Sequence, residues 1–324
     1  MSSSQQAAPA VNGFLNLYKP AGITSMEALR RVKRITGQRK KVGHAGTIDP
    51  LAEGVLPICF GQATRLMEQV VSGWKRYRMT MRLGAASTTY DAEGAITEIA
   101  NPEGLTREEI AAALEGFVGK IEQVPPMYSA IKVDGRRLYE LARSGKEVER
   151  APRQVEVSTI SIDEIALPYL RLTVDCGKGT YLRSIAHDLG EALGCGGYVT
   201  QLSRLSCGQF TAESSLTLES LADAAGEAGN GDGWQKHLHP VDWALQELAP
   251  MTVTGDAERA IGHGQGVSGV EHGGAQGEYE QRRAYSRDGV FLAILEYRPD
   301  SDLWQPTRVF RGTAPSPYAP EGPN

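Results

Sequence analysis

The stretch LRLTVDCGKGTYLRSIAHDLG, Leu170–Gly190, changes its periodicity once, and that change decides the fold class. Up to Cys176 the residues Leu172, Val174 and Cys176 alternate with Arg171, Thr173 and Asp175, the period of a strand with one buried face. After the GKGT turn, Leu182, Ile185, Ala186 and Leu189 recur at helical spacing. A loop so placed between a strand and a helix suits an active site. Tyr77–Leu83 repeats the strand pattern, with Met79, Met81 and Leu83 set against Arg78, Thr80 and Arg82. Elsewhere helices and strands mingle without a βαβ rhythm, so the expected class is α+β, with a mixed, largely antiparallel sheet and not a doubly wound one.

Upstream, TSMEALRRVKRI (Thr24–Ile35) predicts a helix opened by a capping box of Thr24 and Glu27 and closed by Gly37. Leu29, Val32 and Ile35 make its apolar stripe, and Arg30, Arg31, Lys33 and Arg34 occupy the other face, continued by Arg39, Lys40 and Lys41. Between Val11 and Tyr90 thirteen basic residues stand against four acidic ones, although the whole chain of 324 residues carries a net charge of −5. Such segregation predicts a basic face able to grip phosphates on an otherwise acidic protein.

Four cysteines lie far apart, with no CxxC pair and no zinc-type histidine spacing, and read as reduced, buried thiols. No leader pattern and no run of eighteen apolar residues occurs, so the expected address is the cytoplasm, with no membrane contact. Residues 1–10 and 313–324 read as disordered tails, 11–245 as the main domain and 250–312 as a small β-rich module. The module contains a strand, a turn at Asp288–Gly289 and a second strand. The segment Ala224–Gly233 reads as a surface loop leading towards it, and the glycine-rich stretch around His263 and His272 reads as loops and not as a metal site.

KVGHAGTIDPLAEGVL (Lys41–Leu56) places several glycines and the carboxylate of Asp49 in a loop after the basic helix. This segment contains neither GxxxxGK[ST] nor GxGxxG, so it matches no phosphate-cradling loop. Alone, an Asp-Pro pair is usually a turn. His44 has no companion ligands nearby and would more often be structural.

Five blocks together resemble the TruB family of tRNA pseudouridine-55 synthases: LNLYKPAGITS (Leu15–Ser25), KVGHAGTIDPLAEGVL, KRYRMTMRLG (Lys75–Gly84), PPMYSAIKVDGRRLYELAR (Pro125–Arg143) and CGKGTYLRSIAHDLGEALGCGGYVTQLSRL (Cys176–Leu205). The resemblance implies a pseudouridine synthase catalytic domain, with Asp49 as the catalytic carboxylate, Tyr77 stacking on the target base and sharing in proton transfer at C5, and Arg183 pairing with Asp49. It further implies that Tyr181, Leu202 and His44 line or steady the uridine pocket and that Lys19 and Lys132 contact phosphate or substrate. The block LGAASTTYDAEG departs from the family's TDTxDxxG by placing Thr88 at the first aspartate and keeps Asp91, which is expected on the RNA side. The C-terminal module resembles a PUA-like RNA-binding domain in size and strand pattern.

Isomerising uridine to pseudouridine cleaves N1–C1′, turns the uracil over and joins C5 to C1′, with no redox change, cofactor or metal. A carboxylate serves by adding to the sugar or base, or by removing a sugar proton. The expected partner is the T arm of tRNA, met by a monomer that extrudes its target base. A folding chaperone without catalysis and a guide-RNA-dependent synthase remain alternatives; a glycoside hydrolase would need a second acid flanking the bond.

Overall fold

The computed structural model describes residues 11–129, 132–133, 136–138, 148–227, 231–268, 277 and 279–320. Ten strands form the main sheet: β1 (Gly13–Lys19), β2 (Val42–His44), β3 (Glu53–Phe60), β4 (Lys75–Leu83), β7 (Gly119–Gln123), β10 (Arg153–Ala166), β11 (Tyr169–Cys176), β12 (Gly197–Cys207), β13 (Phe210–Thr211) and β14 (Leu238–His239). The hairpins β5–β6 (Ala85–Ser87, Ile96–Glu98) and β8–β9 (Lys132–Val133, Arg136–Arg137) lie outside it.

The order β14-β1-β3-β12-β4-β11-β10-β7 is antiparallel at every step except β3–β12, which pair in parallel through Ser203↔Glu53 and Arg204↔Gly54. That short parallel seam joins two antiparallel halves. Gly54 makes it possible: it holds φ 108°, and a Cβ there would stand 2.2 Å from the Arg204 carbonyl oxygen.

The alternating segments form the expected strands. In β4, Tyr77, Met79, Met81 and Leu83 are buried while Arg76 and Arg78 are exposed, and the strand lies between β11 and β12. Helix α1 (Ser25–Thr36) buries Ala28, Leu29 and Val32 and ends at Gly37 in the left-handed region. Only half of its capping box forms. Thr24 accepts from the Glu27 amide, while the Glu27 carboxylate pairs instead with Arg31 at 3.1 Å and Arg30 at 3.7 Å. Helices α2 (Met67–Ser72) and α3 (Arg107–Glu115) follow; α4 (Leu182–Ala192) packs Leu182, Ile185, Ala186 and Leu189 onto β4 and β12, and α5 (Leu218–Glu227) packs against α1.

The basic segment divides into two parts. Arg76 forks onto Asp175, Arg82 onto Glu98, and Arg78 faces Asp163 at 3.8 Å, so the strand arginines are neutralised by neighbouring carboxylates. Arg34, Arg39, Lys40 and Lys41 are exposed, with no ion-pair partner among the described residues. The phosphate-gripping surface is therefore narrower than the sequence suggests. All four cysteines are buried and free.

A second sheet, β15 (Ala249–Thr252), β16 (Gln281–Tyr285), β17 (Phe291–Arg298) and β18 (Leu303–Val309), carries helix α6 (Asp256–Gly262). The Asp288–Gly289 turn joins β16 to β17 as expected, with Gly289 at φ 76°. Tyr285, Phe291 and Phe310 share one apolar cluster with Phe14, Val55 and Leu245, which docks the module on the main domain. Contrary to the expected tail, residues 313–320 are packed in part: Ser316 donates to the buried Asp242 carboxylate at 2.6 Å and Tyr318 lies over Trp243 at 5.4 Å. Proline-rich composition suggested disorder, but these two contacts hold the segment down. Residues 1–10, 321–324 and His272 lie outside the described residues. No helix among the described residues is long and apolar enough to cross a membrane.

Candidate active site

The connection from β2 to β3 carries Asp49 and sits at the parallel seam. Three buried side chains clamp it. Ser25, at the start of α1, exchanges hydrogen bonds with Ile48, each of 3.0 Å, through its Oγ. Arg204, 1% exposed in β12, donates to the Val55 carbonyl at 2.7 Å and the Gly46 carbonyl at 2.9 Å. Lys19, wholly buried, donates to the carbonyls of Pro20 at 2.8 Å and Ile23 at 2.7 Å, and Gly22 donates to Pro50 at 2.8 Å.

Arg183 enters from the first turn of α4. Its Nη2 donates to Asp49 Oδ1 at 3.0 Å, and its Nε lies 2.9 Å from Oδ2 in an ion pair without the direction of a hydrogen bond. Nη1 donates to Asp91 Oδ2 at 3.1 Å and to the Thr89 carbonyl at 3.2 Å; Nη2 also reaches the Tyr128 carbonyl at 2.7 Å. Asp91 is held in turn by Thr89 Oγ1 at 2.5 Å and the Glu93 amide at 3.0 Å. One guanidinium thus serves two carboxylates. The side chains of Arg183 and Asp91 are 4% and 3% exposed, whereas Asp49 keeps 33%, so Asp49 is the carboxylate that a ligand can reach.

Burial pushes the Asp49 carboxyl above the usual carboxylate range; Arg183 opposes that shift and the nearby Asp91 charge adds to it. Glu93, at the cleft rim, is also pushed up by burial, then by Asp91 and Asp49. Burial, with Arg204 as a second cause, depresses His44. Its Nδ1 is buried without a hydrogen-bond partner among the described residues.

The expected site residues converge unequally. Asp49, Arg183, His44 and Asp91 border one cleft of about 570 Å³, whose mouth carries Met26 and Arg30 of α1. Tyr77 and Leu202 lie in the apolar cluster that contains Ile48 and do not border the open cleft. Burial raises the Tyr77 phenol to about 12, so it stays protonated through neutral pH. Tyr181 caps α4, and its main chain is gripped by Gln123, which accepts from its amide at 2.7 Å and donates to its carbonyl at 3.0 Å.

Two residues expected on the substrate side are buried. Lys19 is fully enclosed, with its ammonium engaged by backbone carbonyls. Asp91, 2% exposed, is engaged by Arg183. The side chain of Lys132 lies outside the described residues. Sequence reasoning missed Arg204 and Gln123. Arg204 had a usable signal, being in phase with Leu202 two residues earlier on the buried side of its strand. No group of histidine, cysteine or acidic residues suited to a metal occurs among the described residues.

Residues 33–182 match the TruB family pseudouridylate synthase (N terminal domain) and residues 183–246 the tRNA pseudouridylate synthase B C-terminal domain. The chain is 40% identical over 284 residues to tRNA pseudouridine synthase B of Clostridium acetobutylicum, covering 88% of this chain and 95% of that one. It is 41% identical over 311 residues to the Dehalococcoides mccartyi protein of the same name, covering 95% and 100%. Among solved structures, a chain of a Cbf5-Nop10-Gar1 complex superposes with TM-score 0.69 at 26% identity, over 92% of this chain and 84% of that one. With family domains matched over residues 33–246 and relatives 40% and 41% identical aligned along nearly its whole length, the chain belongs to the TruB family of tRNA pseudouridine synthases.

Proposed function

We propose that this synthase isomerises uridine 55 in the T arm of tRNA, with Asp49 as the catalytic carboxylate. The observation that carries the reading is the ion pair of Arg183 with Asp49 beside a cleft, with Asp91 held by the same guanidinium. A carboxylate buried alone would take up a proton and lose its nucleophilic and basic power. The guanidinium counters that tendency and steadies the Asp49 carboxylate, an oxygen of which can meet C1′ or a sugar proton. The N1–C1′ bond breaks, the freed uracil turns so that C5 meets C1′, and the C5 proton is lost as N1 regains one.

The target base must leave its stack, which costs a few kcal/mol that contacts in the pocket offset. Tyr77 offers a ring and a protonated hydroxyl at the inner end of the path, beside Leu202. The neutral His44 steadies the extruded nucleotide, and Tyr181, fixed by Gln123, closes the α4 side. Arg34, Arg39, Lys40 and Lys41 supply salt-sensitive affinity for the backbone. The C-terminal sheet acts as a PUA-like second RNA contact, and the protein works as a cytoplasmic monomer.

The intact Asp49–Arg183 pair disfavours a chaperone without catalysis, and the curated bacterial relatives disfavour a guide-dependent enzyme. The test is nucleoside mapping of an unmodified tRNA transcript after incubation with wild type and with Asp49→Asn, without added metal or cofactor. Pseudouridine at the T-arm uridine with wild type alone is the expected result. Its absence with wild type, despite tRNA binding, overturns the reading.

A further inference from the structure

Tyr90 and His187 have no part in the chemistry above, yet they form the closest ring pair among the described residues, with centroids 3.9 Å apart and planes 6° from parallel. Tyr90 also holds φ 64°, in the left-handed region that residues with a side chain rarely adopt. Strain of this kind persists where surroundings enforce it, and it gathers at functional sites. The enforcing contacts are visible. The Tyr90 carbonyl accepts from the Val199 amide at 3.0 Å, and its ring lies flat on His187 of α4.

Arg183 and His187 are four residues apart on α4 and so share a face. Between them they hold three consecutive residues: Arg183 takes the Thr89 carbonyl and the Asp91 carboxylate, and His187 takes the Tyr90 ring. His187 Nδ1 is buried without a hydrogen-bond partner among the described residues, so the stack, not that nitrogen, orients the imidazole.

We propose that the Tyr90–His187 stack is a positioning latch, which keeps residues 89–91 on α4 so that Asp91 holds Arg183 at the angle needed to pair with Asp49. The inference rests on Asp49 being the catalytic carboxylate. Tyr90 and His187 are positioning residues and touch no reacting atom. Losing the latch lets Asp91 and then the guanidinium drift, and a displacement of about an ångström at such a group costs roughly ten- to a hundredfold in rate.

The test uses the full chain and an unmodified tRNA transcript, with Tyr90→Phe, Tyr90→Gly, His187→Ala and the last two combined. Glycine accepts the backbone of position 90, so Tyr90→Gly removes the ring without asking a new side chain to adopt it. Tyr90→Phe keeps kcat within about twofold, while Tyr90→Gly and His187→Ala each lower kcat about tenfold with KM within about twofold. The double variant falls no further than the worse single, because all three lose one contact. The acid limb of kcat moves to higher pH in the latch-less variants, because the guanidinium that holds the Asp49 pKa down drifts away together with the Asp91 charge and has the larger effect of the two. Wild-type kcat in His187→Ala, a loss confined to KM, or losses that multiply in the double variant each overturn the latch while wild type remains active. An inactive wild type overturns the reaction itself.

Discussion

The main chain of Gly54 lies so close to that of Arg204 that no side chain fits between them: a Cβ on Gly54 would stand 2.2 Å from the Arg204 carbonyl oxygen and 2.8 Å from its amide nitrogen. The contact is backbone on backbone, so no rotamer change relieves it. Gly54→Ala is expected to cost about 3 kcal/mol or more, from the clash and from φ 108° together. Denaturant unfolding checks it; a loss below about 1 kcal/mol would show that the seam can spread.

Arg183→Lys keeps the charge but cannot pair with Asp49 and hold Asp91 at once. We expect kcat to fall about a hundredfold with tRNA affinity nearly unchanged. Arg183→Ala strands two carboxylates beside each other and should also lose roughly 3–5 kcal/mol of stability. Single-turnover kinetics and unfolding curves separate the two effects.

The raised Asp49 carboxyl predicts a kcat acid limb above the ordinary aspartate value of 3.8. Asp91→Asn removes a like charge and should move the limb down. The linkage to stability has a definite sign. The folded protein binds this proton more tightly than the unfolded chain, so the contribution of Asp49 to stability is present at low pH and is lost as pH rises through the folded pKa. The melting midpoint of Asp49→Asn should therefore gain on wild type as pH rises from about 4 towards about 8. A gap that stays constant or shrinks across that range would contradict the raised value.

Lys19 and the α1 cations should part company in salt titrations. Arg34→Ala and Lys40→Ala are each expected to reduce the slope of log affinity against log salt by about 1. Lys19→Met leaves the slope unchanged but strands the carbonyls of Pro20 and Ile23, costing about 2 kcal/mol. Burial lowers the Lys19 ammonium to about 8, so its charged form weighs against folding below that pH and the penalty eases as pH rises towards 10.5. A shallower salt slope in Lys19→Met would restore the phosphate contact that the sequence suggested.

Periodic elements were legible: β4, β11, α1 and α4 follow from alternation or helical spacing, because one buried face writes itself into the residue order. Asp49 and Arg183 were legible through the family's motifs, and the structure puts them in contact across 134 positions. The burial of Lys19 and Asp91 was not legible. Their charge argued for solvent, and the partners that make burial tolerable come from other segments: Asp91 meets Arg183 at a separation of 92 residues. Arg76 and Arg82 misled in the opposite sense, since the acids that neutralise them sit on other strands, Asp175 on β11 and Glu98 on β6.

Asp242 precedes the C-terminal sheet and Ser316 follows it, and the two meet in a hydrogen bond of 2.6 Å that Tyr285 of the sheet joins at the same oxygen. A module whose two ends return to one carboxylate is mounted as a cassette. It can be exchanged through two neighbouring breakpoints without rethreading the main sheet, as is general where the ends of a unit lie close together.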